Sequence, residues 1–246
     1  IPVIIKKLDS YFKPGSFAIN KKVISFKGSE DNIFELLQGQ VTADLNDLDS
    51  SRYIQSCLCD EKGFIKAEFL LSNENGLEVF VDELGFSILF EELNKFIKFY
   101  KIEMEINSKE IFYKFFQNND NFEYIFSNNG LFCDIDLKAN NDEKFLTVEQ
   151  FELNILLMGQ FSFDYRDINK YRPHDVGMNK SHVSFSKGCF RGQEVIARTE
   201  HLSKKKKEIL PIESRDEVNI DSKKIETLKE ISFEKDIFKL VSFIPN

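Results

Sequence analysis

The order in which short apolar runs follow one another constrains this chain more than any single motif does. Residues 53–58 and 64–71 are strand-like and flank Asp60-Glu61-Lys62-Gly63. That spacer has the Asp-first, Gly-last chemistry of a type I turn, so the pair reads as a hairpin. Residues 77–81 extend the sheet after a turn at 73–76. The period then changes: in 84–100, Ile88, Leu89, Leu93, Phe96, Ile97 and Tyr100 recur at helical spacing, with Glu91, Glu92, Lys95 and Lys98 on the other side. Upstream, 23–26 reads as a short strand and 31–38 as a short helix capped by Ser29 or Asp31. Downstream, 102–106, 111–116, 124–126 and 131–135 read as strands between Asn-rich turns, and 149–158 as a helix that stops at Gly159. Strand–strand–helix–strand order predicts an α+β fold of ferredoxin-like units.

The character changes at Lys204. A lysine run at 204–207 leads into 208–212, followed by strand-like pieces at 223–225, 229–233 and 238–243. Residues 1–203 are therefore expected to form one α+β region, built as two interleaved subdomains, and 204–246 a short C-terminal β unit. With 246 residues and 42% of them apolar, the chain can bury a sizeable core. A net charge of −8 argues against a dedicated duplex-binding protein, so DNA is not an expected partner. No apolar run approaches the roughly 18–20 residues needed to cross a bilayer. Residues 1–8 show no signal-peptide pattern, and Ile1 in place of Met reads as a trimmed or partial start. The expectation is a soluble cytoplasmic protein. Cys57, Cys59, Cys133 and Cys189 form no C-x-x-C pair, and His174, His182 and His201 are scattered, so no metal site is expected and the thiols are read as reduced.

Chemistry concentrates in Ser186-Lys187-Gly188-Cys189-Phe190-Arg191-Gly192-Gln193-Glu194-Val195. Residues 193–200 read as a helix, with Gly192 at its start and Glu194 in its first turn, where a carboxylate is favoured. Cys189 would sit in the loop entering that helix. A helix start and nearby cations, here Lys187 and Arg191, both lower a thiol pKa. If the loop is extended, Lys187 and Cys189 project to the same face. The flanking glycines allow a tight loop and close approach to a ligand. A lone cysteine in this setting reads equally as a buried structural residue, and on these residues alone both readings stand.

Three stretches carry a family likeness. Lys187-Gly188-Cys189-Phe190-x-Gly192-Gln193-Glu194, Leu37-Gln38-Gly39-Gln40-Val41-Thr42-Ala43-Asp44 and Cys59-Asp60-Glu61-Lys62-Gly63 resemble three signatures of the YgfZ family, folate-binding relatives of the glycine-cleavage aminomethyltransferase, and they occur in family order. The resemblance implies an aminomethyltransferase-like folate-binding fold, with α+β units and a terminal β-barrel around a central hole. It implies tetrahydrofolate or a related folate as cofactor, iron–sulfur enzymes as clients, and a link to tRNA only through such enzymes. It implies Cys189 as the reactive thiol and Lys187 as its activator or as a contact for an anionic ligand. Phe190, Gly192, Gln193 and Glu194 then become ligand-contact or loop-shaping residues.

The chain departs from the family pattern twice. Where relatives carry a pterin-holding Glu, the corresponding piece is Ile155-Leu156-Leu157-Met158-Gly159, and the chain has no Trp to stack on a folate. Phe17 or Phe151 could supply the stacking face instead. Arg166, or the stretch Arg172-Pro173-His174-Asp175, could meet a glutamate tail, though solvated loops are the plainer reading. Lys204–207 could touch phosphate or an acidic partner, or form a solvated turn. Cys57 and Cys59 share a strand face and are read as core. Three functional classes remain: a folate-linked accessory protein acting through Cys189, a true aminomethyltransferase, and a binding module without chemistry.

Overall fold

The computed structural model describes residues 8–117, 124–128, 130–139, 144–203, 206–214 and 222–245. The readings made on residues 1–7 and on Lys204 and Lys205 lie outside the described residues. The main sheet has seven strands: β1 (Gly15–Lys27), β2 (Tyr53–Cys59), β3 (Ile65–Ser72), β4 (Glu78–Val81), β5 (Glu103–Gln117), β6 (Phe126–Asn128) and β7 (Leu131–Asp136). Their order is β2-β3-β4-β1-β5-β7-β6, and each neighbouring pair is antiparallel. Helices α1 (Glu30–Gln40), α2 (Glu83–Asn94), α3 (Ile97–Tyr100), α4 (Val148–Leu157) and α5 (Gln193–Leu202) complete an α+β fold. Three further strands, β8 (Glu208–Glu213), β9 (Ser222–Phe233) and β10 (Asp236–Pro245), form a separate antiparallel sheet in the order β8-β10-β9.

The α+β region shares one continuous sheet because β1 and β5 pair along their whole length, from Gly15↔Phe115 to Lys27↔Glu103. The sequence reading split β5 at the polar stretch 107–110. Its low strand propensity is overridden by the partner strand: Asn107, Ser108, Lys109 and Glu110 each sit opposite a β1 residue, and Lys109 Nζ donates to Glu78 on β4 at 2.6 Å. The 84–100 stripe is likewise divided, into α2 and α3, with a turn at Lys95 and Phe96. Phe96, Ile97 and Tyr100 still pack on the same cluster, and Asn32 Nδ2 donates to Tyr100 O at 2.7 Å to close the short helix.

Two apolar layers flank the sheet. On one face, Ile33, Leu36 and Leu37 of α1 and Leu89 and Leu93 of α2 bury against Ile24, Leu58, Leu71, Val79 and Val81. Elsewhere Leu153, Leu156 and Leu157 of α4 join Cys57, Phe115 and Cys133 of the main sheet and Leu228, Phe238 and Leu240 of the small one. The C-terminal strands thus have their own hydrogen-bond ladder but share a core with the rest. Each such side chain contributes about 1.5–3 kcal/mol on burial.

Helix α4 is fixed at both ends. Thr147 Oγ1 accepts from Gln150 N–H at its start, and at its end Gly159 N–H donates to Leu156 O and Gln160 N–H to Ile155 O, a Schellman pair. Between them the fully buried Asn154 bridges to the N-terminal segment: Nδ2 donates to Lys13 O at 2.8 Å and Oδ1 accepts from Lys13 N–H at 3.2 Å. An Asn154→Ala variant leaves both backbone groups without their partner, and we expect it to lose on the order of 1–3 kcal/mol. Urea unfolding should show a lower midpoint with an unchanged slope.

Candidate functional site

The three stretches that are far apart in sequence meet in space. Asp60 Oδ1 accepts from the Lys62 and Phe64 N–H groups, and Gly63 N–H donates to Asp60 O, which sets the hairpin turn. The hairpin that the Asp-first, Gly-last spacer predicts is present, with a φ of +77° at Gly63 and, beyond the sequence reading, a register shift at Cys59 that makes it bulged. Helix α5 starts directly on this turn. A Cβ placed on Gly192, where φ is +83°, would lie 2.5 Å from Asp60 O and 3.2 Å from Gly63 Cα, so glycine is required there by both space and conformation. The 37–44 stretch joins through the backbone: Arg191 N–H donates to Gly39 O at 3.1 Å and Ser184 N–H to Thr42 O at 2.9 Å. Thr42 Oγ1 donates to His182 O at 2.6 Å and accepts from Cys57 N–H at 2.9 Å.

Cys189 is the exposed cysteine of the four; Cys57, Cys59 and Cys133 are buried. Burial pushes the Cys59 thiol up to about 12 and raises Cys57 and Cys133 well above an ordinary thiol. Cys189 lines an open hollow of about 520 Å³ together with Gly39, Gln40, Glu61, Glu92, Lys95, Phe96, Phe190 and Arg191. Arg191 is engaged there by two acids, with Glu61 at 2.7 Å and Glu92 at 2.8 Å. Glu92 also receives Lys66 and Lys95; burial alone would raise its carboxyl, but these hydrogen bonds outweigh it and hold it at about 2. The cations around the hollow are thus largely matched by carboxylates.

Lys187 does not stand beside the thiol. The expectation that the two side chains share a face is corrected: Lys187 is buried, and Nζ donates to Val41 O at 2.8 Å and Ala43 O at 2.7 Å, while Cys189 is left in solvent. The Phe190 ring lies 5.3 Å from Nζ. The loop bends between them, and the two inward-facing carbonyls offset part of the cost of taking the ammonium out of water. Burial pushes Lys187 down to about 8, against the opposing attraction of the Asp44 carboxylate.

A second concavity, the central cavity, has a different chemistry. It is about 130 Å³ and is walled by the sheet, by α4 and by the 160–163 segment. Aromatic faces come from Phe80, Tyr113, Phe126, Phe151, Phe161 and Phe163. The strand register puts Gln55, Leu70 and Phe80 in line across the sheet, with Glu68 diagonal to Gln55 on the same face. Glu68 Oε1 meets His182 Nε2 at 3.1 Å, and His182 Nδ1 meets Ser181 Oγ at 2.8 Å. A carboxylate only accepts, so Nε2 carries the proton, and in the neutral imidazole the serine hydroxyl donates to Nδ1. Gln55 is buried and its Oε1 has no partner among the described residues, a state that costs about 1–3 kcal/mol when left unmet. Gln55 also borders an outer groove lined by Ser51, Ser181, Ser184 and Ser186, and Ile155, Gln160 and Ser162 continue the cavity into a cleft holding Arg166 and Lys229.

Several residues singled out in the sequence fall elsewhere than expected. Phe190 lines the thiol hollow and not the cavity, and Gly192, Gln193 and Glu194 line neither. Gln193 Nε2 donates to Gly188 O at 3.3 Å, shaping the loop, and Glu194 is exposed. Phe17 stacks on Phe151 at 4.4 Å, so it backs the ring that faces the cavity and does not line the cavity itself. Arg166 is exposed and paired with Asp164. Arg172 lies over the Phe64 ring, and His174 Nε2 meets Glu200 at 2.9 Å, so that stretch is tied into structure. Ile155 brings no acid to the cavity, as the sequence reads; carboxylates come from Glu68 and Asp82 instead. Sequence reasoning missed Glu68, Gln55 and His182, which share no local pattern.

No family model matches the chain. Its sequence is 28% identical to the tRNA-modifying protein YgfZ of Colwellia psychrerythraea over 227 residues, covering 78% of this chain and 69% of that protein. Its fold superposes on the glycine cleavage system aminomethyltransferase T of Bartonella henselae with a TM-score of 0.61 at 10% identity, covering 98% of this chain and 81% of that one. The chain is YgfZ-like in sequence and aminomethyltransferase-like in fold. The three meeting stretches are the ones that resemble the signatures of that family.

In this YgfZ-like junction Lys187 acts as a fastening between two of the three stretches, and its titration gives a signature. Its folded pKa of about 8 lies below the ordinary 10.5, so the unfolded chain holds more protons between those values. The cost of burying the charge is therefore fully present below about pH 8 and is relieved as pH rises toward 10.5, by roughly 3 kcal/mol. The raised buried thiols act in the opposite direction. They cancel when wild type is compared with Lys187→Met. We expect the stability difference to move in favour of wild type between pH 7.5 and 10, as measured by urea unfolding at a series of pH values.

Proposed function

We propose that the chain is a YgfZ-like, folate-binding accessory protein of the cytoplasm that supports tRNA modification by maintaining iron–sulfur enzymes, acting through Cys189. The observation that carries this reading is the exposure of Cys189 on a loop fastened by all three family-like stretches while the other three cysteines are buried. A thiol mounted this way is presented to partners of the size of a protein or a small electrophile, and its loop is held too firmly for incidental exposure. The curated relative is named a tRNA-modifying protein, which supports the same direction.

Folate is supported as the ligand by the residues of the central cavity: Phe151 and Phe161 offer faces for a ring, and Glu68 and Gln55 offer acceptors for its N–H edge. A bound tetrahydrofolate would supply one-carbon carrier chemistry that no side chain has. Lys187 enters this reading as a positioning residue for the loop, and Gln193 as a shaper of it. tRNA is reached through the client enzymes.

An aminomethyltransferase activity is the second reading. It is favoured by the fold likeness and by Glu68, a carboxylate inside the cavity where such chemistry needs a proton-balancing group. Turnover with a lipoyl carrier and tetrahydrofolate would establish it.

The accessory reading makes two joined predictions. Iodoacetamide should label the native protein at Cys189 and reach the three buried thiols only after unfolding. In cells lacking the protein, Cys189→Ala should fail to restore iron–sulfur-dependent tRNA modification while folding and melting like wild type. Full restoration by that variant would overturn the assignment.

A further inference from the structure

Three side chains in series lead from the main sheet to the outer groove. Glu68 Oε1 meets His182 Nε2 at 3.1 Å, and His182 Nδ1 meets Ser181 Oγ at 2.8 Å. His182 is 1% exposed, whereas Ser181 is exposed and lines the groove, a concavity of about 400 Å³. His174 offers a contrast. It too meets an acid, Glu200, through Nε2, but its Nδ1 is buried without a partner among the described residues, so it has no hydroxyl to act on.

The geometry points to a second reactive centre in this chain: Ser181 is a nucleophile for small carboxylic esters, His182 is its general base, and Glu68 positions that base. A hydroxyl, a base within reach of it and a third group that orients the base are the parts such chemistry needs. Compared with serine hydrolases the two ring nitrogens exchange places. The chemistry allows this, because a neutral imidazole accepts at one nitrogen and donates at the other. Neither Cys189 nor a bound folate takes part, so this centre is tested apart from the reading above.

Backbone contacts hold the pair in place. The Ser181 and His182 N–H groups both donate to Met178 O, and His182 O accepts from Thr42 Oγ1 at 2.6 Å. The groove supplies the other parts. Tyr53, Tyr124 and Phe185 give apolar walls for an acyl chain, and exposed Lys180 brings positive charge to the groove in which an oxyanion forms.

As Ser181 Oγ bonds to the ester carbonyl carbon, its proton passes to His182 Nδ1 and the C=O electron pair moves onto oxygen. Glu68 faces the resulting imidazolium at Nε2. The carbonyl re-forms as the C–O bond to the leaving group breaks, and the Nδ1 proton goes to the departing alkoxide. Water then attacks the acyl-serine by the same route, which releases the acid and returns Ser181 Oγ–H. Ester and water give acid and alcohol, with no other reactant.

The test is labelling of the full chain with an alkyl fluorophosphonate, after Cys189 is blocked with iodoacetamide, and mapping of the adduct by mass spectrometry. Native protein should carry the adduct on Ser181, and protein unfolded in urea should carry none. Ser181→Ala, a change at an exposed side chain, should abolish both labelling and hydrolysis of p-nitrophenyl butyrate. His182→Gln should lower kcat for that ester by about a hundredfold. Glu68→Gln should lower kcat by about tenfold with KM and melting curve unchanged, a split that a purely structural contact would not give. Native wild type without an adduct on Ser181 overturns the inference and needs no variant. Butyrate hydrolysis that survives Ser181→Ala, or a His182→Gln protein as fast as wild type, overturns it as well.

Discussion

Two carbonyls facing inward hold the 187–189 loop in place. Val41 O and Ala43 O both point at the Lys187 ammonium, and between them Thr42 accepts, donates and shares backbone bonds with Cys57, His182 and Ser184. Unlike a surface ion pair, this arrangement is buried, so each contact is worth close to its desolvated value and the loss of one exposes the cost of the others. The position of Cys189 follows from it. With Lys187 drawn in, the next residues must turn outward, and Gly188 has open space around it in which to do so.

How far the chain could be read from its sequence differs between elements. The 60–63 turn was legible because Asp60 and Gly63 make a local structure whose partners lie within four residues. The start of α1 at Ser29 and the stop of α4 at Gly159 were legible for the same reason. Polar residues 107–110 were not, since nothing local makes them a strand; Asn20, Lys21, Lys22 and Val23, more than eighty residues away in sequence, do so by pairing. The same divide runs through the candidate site. Cys189 stands out within a local motif, whereas Glu68 sits beside Lys66 in what reads as an ordinary alternating strand. Its partner His182 is 114 residues further on.

Lys187 shows the limit of motif reading more sharply. Two residues' separation in an extended loop should put lysine and cysteine on one side, and a cation beside a thiol is a familiar way to activate it. The loop is not extended, and a buried ammonium with two carbonyl partners serves the fold. Residue type and spacing narrow the chemistry available, but the direction a side chain takes is decided by what the rest of the chain leaves unpaired.

The thiol hollow and the central cavity are lined by different residues, yet they share a mounting. The segment 181–189 begins with Ser181 and His182 on Glu68 at the cavity, passes Ser184 on the Thr42 carbonyl, and ends with Lys187 on the 41–43 backbone and Cys189 at the hollow. A ligand that engages Glu68 loads His182, and His182 is joined to the same threonine that lies between the two carbonyls of the lysine. Packed, hydrogen-bonded segments of this kind move as units with few alternative arrangements. The wall of the cavity and the presentation of the sulfur are for that reason mounted on one strap of chain.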